Sequence, residues 1–338
     1  MPRNAVKILH RGSRRVLAGI TSVVATSLMG HAVAADDGSD YPKKPVRMLV
    51  PLGAGGGVDV LARLIAQKLG EAWGQQVVVD NRPGAAGTVG TSIAAKAPAD
   101  GYTLLLTTNA PLTTHLALYK KLDYGVEDFA PVRMIVYAPV VVIVRGASGP
   151  KSISELVAQS KQVAGGYSVA TTGNGSIGHF LLAHLIRSQG ASLTHVPYKG
   201  GVPGAAAVVS GEAQLGILDT GAVMAFIRDN RVRALGIVGE KRSPVLPEVP
   251  TLTELGVTGG EIIAWAAVVA PKGTPKSIVD KTSDGIARAL RDPQLRDKVL
   301  SAGMAPVDDS TPETFAAFLR QEVQRWRQRV DDAGLKPE

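Results

Sequence analysis

The chain of 338 residues contains no cysteine, and only 4% of its residues are Phe, Trp or Tyr. Without cysteine there are no disulfides, no thiolate nucleophile and no thiolate metal ligand, so burial alone must hold the fold together. The scarcity of aromatic side chains disfavours single-stranded nucleic acid, because base stacking needs aromatic platforms. No long run of lysine or arginine follows residue 15, although a nucleic-acid backbone would require one. We therefore predict that the protein has no nucleic-acid partner.

The first 34 residues have the pattern of a secretory signal peptide. Residues 16–29 carry no charge, Ala32-Val33-Ala34 forms a small-residue cleavage pattern, and five basic residues come first: Arg3, Lys7, Arg11, Arg14 and Arg15. The apolar stretch is shorter than the ~20 residues that span a bilayer. We expect export to the periplasm with removal of residues 1–34, by either the general or the twin-arginine route. The formal net charge of +8 falls to +3 when these five charges are removed.

Apolar runs alternate with helix-like segments along the rest of the chain, which is typical of parallel β/α units. The predicted strands lie at 46–51, 76–80, 102–107, 139–144, 167–170, 193–196, 215–218, 234–238 and 262–270. The predicted helices lie at 58–69, 152–161, 275–291 and 312–333. Ser152 followed by Glu155 indicates a capping box. The pattern predicts an α/β protein of two lobes, with crossings near 139–145 and 260–268.

Two glycine-rich turns stand between a strand-like run and a helix-like run. They are Gly53-Ala54-Gly55-Gly56-Gly57-Val58-Asp59 and Gly173-Asn174-Gly175-Ser176-Ile177-Gly178-His179. Backbone N–H groups at the start of a helix attract anions without any basic side chain. We expect both turns to offer free amides to one small anion from opposite sides. For Asp59 two interpretations stay open: an acid favoured by the helix dipole, or an anchor for an ordered water or a ligand N–H.

Other polar residues end predicted strands, where the ligand crevices of open α/β sheets lie. Thr108-Asn109, Thr171, Tyr198-Lys199-Gly200 and Asp219-Thr220 all have this position. The candidate ligand-binding residues are therefore Leu52, Gly53, Ala54, Gly55, Gly56, Gly57, Val58, Asp59, Thr108, Asn109, Thr171, Gly173, Gly175, Ser176, His179, Tyr198, Lys199, Gly200, Asp219 and Thr220.

Three kinds of chemistry are disfavoured by the residues around the second turn. The G-x-G-x-x-G pattern at 173–178 lacks the acid that a dinucleotide ribose needs about 20 residues later. Ser176 resembles a nucleophile elbow, but position 174 is Asn rather than Gly and no histidine follows His195. His179 and His184 are five residues apart, which places them on different helix faces, unlike a metal-binding pair. We predict no cofactor, no metal and no catalytic activity, and keep a secreted serine hydrolase as the enzyme alternative.

An ordered series of motifs resembles the tripartite tricarboxylate transporter receptor family, the Bug or TctC-type extracytoplasmic solute receptors. The series covers nearly the whole chain after the leader: Tyr41–Arg47, Val50-Pro51 with Gly55–Asp59 and Ala62-Arg63, Asn81–Gly87, Asp100–Leu104, Gly173–Ser176 with His179, Val196–Gly201, and Leu246–Thr251 with Glu254 and Gly256. The departures are small. Asp80 stands where the family usually has Glu, and Phe180 replaces a common leucine.

The resemblance implies a type II periplasmic-binding-protein fold, with lobe 1 at 35–140 plus 265–338, lobe 2 at 141–264, and hinge crossovers beside a ligand cleft. It implies a carboxylate-bearing ligand held mainly by residues 52–59, often through ordered waters. The implied role is delivery of this organic acid to the integral membrane subunits of an ion-gradient-driven transporter. We expect the protein to be a monomer. Presentation of the bound carboxylate to a sensor kinase is the alternative role within the same fold.

Overall fold

The structure is a computed structural model that describes residues 40–239, 241–259, 262 and 264–332. The predicted signal peptide lies outside the described residues. The strands are β1 Val46–Val50, β2 Val77–Asn81, β3 Thr103–Thr108, β4 Phe129–Tyr137, β5 Val140–Arg145, β6 Tyr167–Thr171, β7 Leu193–Pro197, β8 Leu215–Asp219, β9 Val232–Val238, β10 Trp265–Pro271 and β11 Ala305–Pro306.

The helices are α1 Gly57–Trp73, α2 Thr88–Ala95, α3 His115–Leu118, α4 Ile153–Ser160, α5 Ile177–Gln189, α6 Gly201–Ser210, α7 Thr220–Arg228, α8 Lys276–Arg291, α9 Pro293–Ser301 and α10 Pro312–Asp332. Short 3₁₀ turns at Ala85–Gly87 and Val126–Asp128 and a π-helical turn at Ala110–Thr114 join some of them.

Two mixed sheets organise these elements. The first has the strand order β11-β4-β10-β3-β1-β2, and the second has the order β7-β6-β8-β5-β9. In the first sheet β1 is parallel to β2 and β3, while β10 is antiparallel to β3 and β4. In the second, β6 is parallel to β7 and β8, and β5 is antiparallel to β8 and β9. This architecture confirms the predicted α/β class with two sheet-centred lobes.

The chain crosses between the sheets from β4 to β5 and again from β9 to β10. The two crossovers are bonded to each other, because the Ala138 N–H donates to the Ala264 carbonyl at 2.8 Å. Thr220, the first residue of α7, donates its N–H to the Pro139 carbonyl at 2.8 Å. The crossovers are thus linked segments at the base of the second sheet. The lobe boundaries at 140/141 and 264/265 stay a prediction.

Helix α10 contributes side chains to the cores of both sheets. Phe315 and Leu319 are buried with residues of the first sheet, such as Leu105. Trp326 and Val330 are buried with residues of the second sheet, and the Trp326 ring lies 4.8 Å from the Phe180 ring in an edge-on arrangement. One helix therefore ties the two cores together, through burial at both of its ends.

No strand is predicted between 107 and 139, yet β4 occupies the second position of the first sheet. Pro131 and Arg133 interrupt its apolar pattern. Pro131 pairs with Val269 at a register irregularity, where a missing N–H is tolerated. The buried Arg133 guanidinium donates to the Asp308 carbonyl at 2.9 Å and to the Ser283 hydroxyl at 3.3 Å. The pairing of Pro131 and the hydrogen bonds of Arg133 both involve residues distant in the sequence, so a local pattern could not reveal this strand.

The predicted N-cap of α4 is confirmed, since the Ser152 hydroxyl accepts the Glu155 N–H at 3.1 Å. The return bond of the capping box differs from the prediction. The Glu155 carboxylate accepts the N–H of Lys151, one residue earlier than the box requires, at 2.8 Å.

Candidate functional site

The predicted site residues form two groups at the carboxyl ends of parallel strands. In the first sheet they follow β1 and β3, and in the second they follow β6, β7 and β8. Parallel neighbours end at the same sheet edge, so each group is gathered in one place. The second group lies close to α3, the helix that follows β3 and the π-helical turn: a Cβ built on Gly175 would lie 3.3 Å from Cδ1 of Leu118.

The first glycine loop leaves backbone donors open at the start of α1. Gly53 to Gly57 are exposed, and the N-cap residue Gly56 has no side chain to bond the first turn. Among the described residues, the N–H groups of Gly56, Gly57 and Val58 have no acceptor. Open N–H groups at the positive end of a 17-residue helix form an anion-binding position.

Asp59 is turned into the protein and braces this loop. Its side chain is 3% exposed, and its carboxylate accepts hydrogen bonds from the Gly55 N–H at 2.8 Å, Arg63 at 3.0 Å and Asn81 at 3.0 Å. Burial alone would raise the pKa of Asp59, but these three donors outweigh it and hold the pKa below its usual value. Of the two interpretations left open by the sequence, this geometry favours a structural acid.

The second glycine loop is bonded internally. The Gly173 N–H donates to the Thr171 hydroxyl at 3.2 Å, the Gly175 N–H to Nδ1 of His179 at 3.2 Å, and the Ser176 N–H to the Gly173 carbonyl at 3.3 Å. This loop therefore offers fewer open amides than the first, and the N–H groups of Ile177 and Gly178 at the start of α5 lack an acceptor among the described residues. The Ser176 hydroxyl caps α5 by accepting the His179 N–H at 3.3 Å. The hydrogen-bond partner of the Ser176 hydroxyl is thus a backbone amide and not an imidazole base.

A stacked pair of histidines supports the second loop. The rings of His179 and His195 are parallel within 6° at 4.2 Å, and Nε2 of His195 lies 2.7 Å from the Thr171 hydroxyl. Burial lowers the pKa of His179, while burial and the neighbouring His179 lower the pKa of His195 to about 4. Both rings are thus neutral at neutral pH. Since Nδ1 of His179 accepts a hydrogen bond, its proton lies on Nε2.

His195 is absent from the sequence-predicted set because it lies on the neighbouring strand β7, opposite Val169. No spacing along the chain connects it to His179. Thr171, which is in the predicted set, is fully buried and its hydroxyl is occupied by this cluster.

The other predicted residues of the second sheet divide into engaged and open side chains. Thr220 is buried and its hydroxyl donates to the Pro139 carbonyl, while the Tyr198 hydroxyl donates to Glu212 at 2.9 Å. Lys199 and Asp219 are exposed, and neither forms an ion pair with a described residue. Gly200 precedes α6 with a φ of 111°, a conformation that a side chain would disfavour.

Thr108 and Asn109 end β3 beside the first loop. Asn109 is 7% exposed, and its carbonyl accepts the Thr113 hydroxyl at 2.7 Å within the π-helical turn. No hydrogen bond to the Asn109 amide or the Thr108 hydroxyl is recorded in the described part of the chain. These two side chains are open polar groups at the strand end.

A strained turn next to the first loop is missing from the predicted set. Ala85 and Ala86 have φ values of 42° and 54°, between Gly84 at 142° and Gly87 at 96°. The turn packs closely, since a Cβ on Gly87 would lie 3.1 Å from Pro111 and 3.4 Å from the Pro51 carbonyl. Left-handed alanines cost free energy and recur at functional sites. The Asn81–Gly87 motif was the available sequence signal.

Within residues 40–239, 241–259, 262 and 264–332, no three His, Cys, Asp or Glu side chains are grouped closely enough to hold a metal ion. In the same part of the chain, no helix combines the length and apolarity that crossing a bilayer would require.

Comparison with known proteins identifies related chains over almost the whole length. The model of the tripartite tricarboxylate transporter family receptor matches residues 61–335. Protein BugT of Bordetella pertussis (strain Tohama I) is 37% identical over 324 residues, which cover 95% of this chain and 98% of the relative. The structure of R. palustris Rpa4515 with adipate has a TM-score of 0.79 and 32% identity, and covers 88% of this chain and 100% of that chain. MatC of Rhodopseudomonas palustris with bound malate has a TM-score of 0.75 and 30% identity, and covers 86% and 100%.

Proposed function

This chain belongs to the tripartite tricarboxylate transporter receptor family, and we propose that it is a periplasmic receptor that captures a small carboxylate-bearing organic acid and delivers it to the integral membrane subunits of such a transporter. The members of this family are receptors, so the chain is a binding protein and not an enzyme. The relatives bound to adipate and malate support a carboxylate as its ligand.

The observation that carries this proposal is the row of open N–H groups at Gly56, Gly57 and Val58. They lie at the positive end of α1, where a carboxylate is stabilised by hydrogen bonds and by the helix dipole. Asp59 accepts the Gly55 N–H, and Asn81 donates to the Leu52 carbonyl and to Asp59. These bonds fix the loop without occupying the three open N–H groups.

A single loop of this kind does not suffice for tight binding. Three hydrogen bonds to a charged group contribute roughly 5–9 kcal/mol before the costs of immobilisation, and micromolar affinity needs about 8 kcal/mol after them. The second sheet must therefore contribute. Nε2–H of His179 and the Lys199 ammonium are the donors we assign to this role. Closure of the two lobes over the ligand would bring them to it.

The experiment is isothermal titration calorimetry of the exported chain, freed of any ligand, with dicarboxylates, tricarboxylates, acidic amino acids and aromatic acids. We expect at least one acid to bind at a stoichiometry of one with micromolar or tighter affinity. The absence of binding by every carboxylate would overturn the proposal.

A matched pair of variants at Gly57 tests the amide directly. Gly57→Pro removes one N–H at the first helical position, where proline is tolerated, and the preceding Gly56 already has the φ of −77° and ψ of 165° that proline prefers before it. Gly57→Ala keeps the N–H, and no heavy atom lies within 4 Å of its new Cβ. We expect affinity about tenfold or more weaker for Gly57→Pro and near wild type for Gly57→Ala. Equal affinities would exclude this amide as a ligand contact.

A further inference from the structure

The position of Asp219 at the end of β8 places its carboxylate near the start of α6, on a strand whose Ile217 lies against the start of α5. Side chains alternate along a strand, so Asp219 shares a face with Ile217. A Cβ on Gly178 would lie 2.5 Å from the Ile217 carbonyl, which shows that α5 begins directly over this residue. Asp219 lies two residues, or ~6.6 Å, further along the strand. Its Oδ2 is 3.9 Å from the Cβ position of Gly201, the first residue of α6.

This carboxylate has no partner from another residue. In the described ranges the hydrogen bond it accepts comes from its own backbone N–H, it forms no ion pair, and Lys199 in the neighbouring loop does not pair with it. It precedes α7 but does not cap it, unlike Asp292 before α9, whose carboxylate accepts the Leu295 N–H. Protein atoms crowd the site, and this desolvation raises the pKa of Asp219 although the side chain is open to water. The Asp219 carboxylate is therefore an accessible acid that no other residue engages, and it is available to a ligand.

We propose that Asp219 accepts a hydrogen bond from an ammonium or hydroxyl group of the ligand, so that the receptor selects carboxylates bearing such a donor over otherwise identical plain carboxylates. This inference rests on the proposed function, since it concerns the ligand of the same site. An ionised Asp219 repels a second carboxylate placed against it and attracts an ammonium. The same residue therefore acts for one ligand class and against the other, which is how specificity is built.

Matched acids measure this selectivity by calorimetry. Succinate is compared with malate and aspartate, glutarate with 2-hydroxyglutarate and glutamate, and any other skeleton that binds with its amino and hydroxy forms. We expect the donor-bearing acid to bind about tenfold or more tightly than its plain counterpart. Equal binding, or preference for the plain acid, would overturn the inference while leaving the proposed function intact. No binding of any carboxylate would instead overturn the proposed function.

Asp219→Asn tests the residue itself, and Asp229→Asn is its matched control. Asp229 is exposed at the opposite end of α7. Asp229→Asn therefore makes the same change of charge at a position away from the strand ends. We expect Asp219→Asn to reduce the preference to within about threefold, and Asp229→Asn to retain it, with both variants unfolding thermally like wild type. A preference that survives in Asp219→Asn would contradict the assignment.

A protonated Asp219 that donates to a plain carboxylate is the competing arrangement. Titrations in two buffers of different ionisation enthalpy separate it, because that arrangement takes up a proton on binding. We expect no net uptake with the preferred ligand. Uptake close to one proton per plain acid bound, lost in Asp219→Asn, would overturn the inference.

Discussion

At the scale of single residues, Asp59 shows how a buried charge shapes a loop that it does not present to a ligand. Its carboxylate is held by a backbone amide, a guanidinium and a side-chain amide at 2.8–3.0 Å. A buried carboxylate is tolerated only when such donors replace water. The three bonds fix Gly55 and thereby aim the amides that follow it away from the protein.

Asp59→Asn is expected to lower the free energy of unfolding by about 1–3 kcal/mol at neutral pH, because it weakens charge-assisted hydrogen bonds in a buried position. Because the folded-state pKa of Asp59 lies below its ordinary value of 3.8, the stabilisation is present above about pH 4 and is lost as the pH falls through the folded value. Urea denaturation between pH 7 and pH 3 checks both statements.

The matched control is Asp280→Asn, which removes the acid of an exposed helical ion pair with Lys276. Exposed pairs of this kind contribute little, so we expect almost no change in stability. If Asp59→Asn were no more destabilised than Asp280→Asn, Asp59 would not brace the loop.

At the scale of elements, the β6–α5 connection is held by a chain of contacts that uses two histidines. Thr171 bonds His195, His195 stacks on His179, and His179 accepts the Gly175 N–H. This chain explains why the Gly175 amide of the loop is occupied. The ring donor that the chain leaves open is Nε2–H of His179.

His195→Gln is expected to flatten the dependence of stability on pH between about 6.5 and 4. Burial lowers the pKa of His195 to about 4, so below 6.5 the unfolded chain binds a proton that the folded chain refuses. Wild-type stability therefore falls as the pH drops through this window. His115, whose pKa burial also lowers to about 4, and His179, whose pKa burial also lowers, add to the same fall and are retained in the variant. Denaturant titrations at several pH values measure the slope.

Thr171→Val is the control for this prediction. It removes the hydroxyl partner of His195 but keeps the ring, so we expect lower stability throughout and a slope close to that of wild type. Identical slopes for wild type and His195→Gln would show that His195 is not the titrating group.

At the scale of the whole molecule, α10 packs into the cores of both sheets. The first crossover is short and is bonded to the second, and the second packs Leu252, Val257 and Ile262 into the core of the second sheet. Helix α10 buries an aromatic residue in each core, Phe315 in the first and Trp326 in the second. Any rotation of one lobe against the other must therefore bend this helix or move one of its ends.

Trp326→Ala is expected to lower the free energy of unfolding by about 3–5 kcal/mol, because it opens a cavity against Phe180 in the second core. Phe315→Ala is the matched variant at the other end of α10 and should cost a similar amount from the first core. Urea denaturation followed by far-ultraviolet circular dichroism measures both. A loss below about 1 kcal/mol for Trp326→Ala would show that the second core does not depend on α10.

Features that neighbouring residues specify could be predicted from the sequence. The run at 46–50 followed by glycines predicts β1 and the open start of α1, and Ser152 predicts the cap of α4. The ordered motifs predicted the family, which the comparisons confirm. These features were readable because strand propensity, helix capping and glycine turns act over a few residues.

Features that depend on partners distant in the chain could be seen only in the folded protein. Asp59 points inward because Asn81, on β2, donates a hydrogen bond to its carboxylate. The second loop is bonded internally through His179, which stacks on His195 of the adjacent strand. The burial of Arg133 in β4 and the shared use of α10 have the same origin. The direction of a side chain is set by its hydrogen-bond partners and by the space around it. Chain folding, and not spacing along the sequence, brings these together.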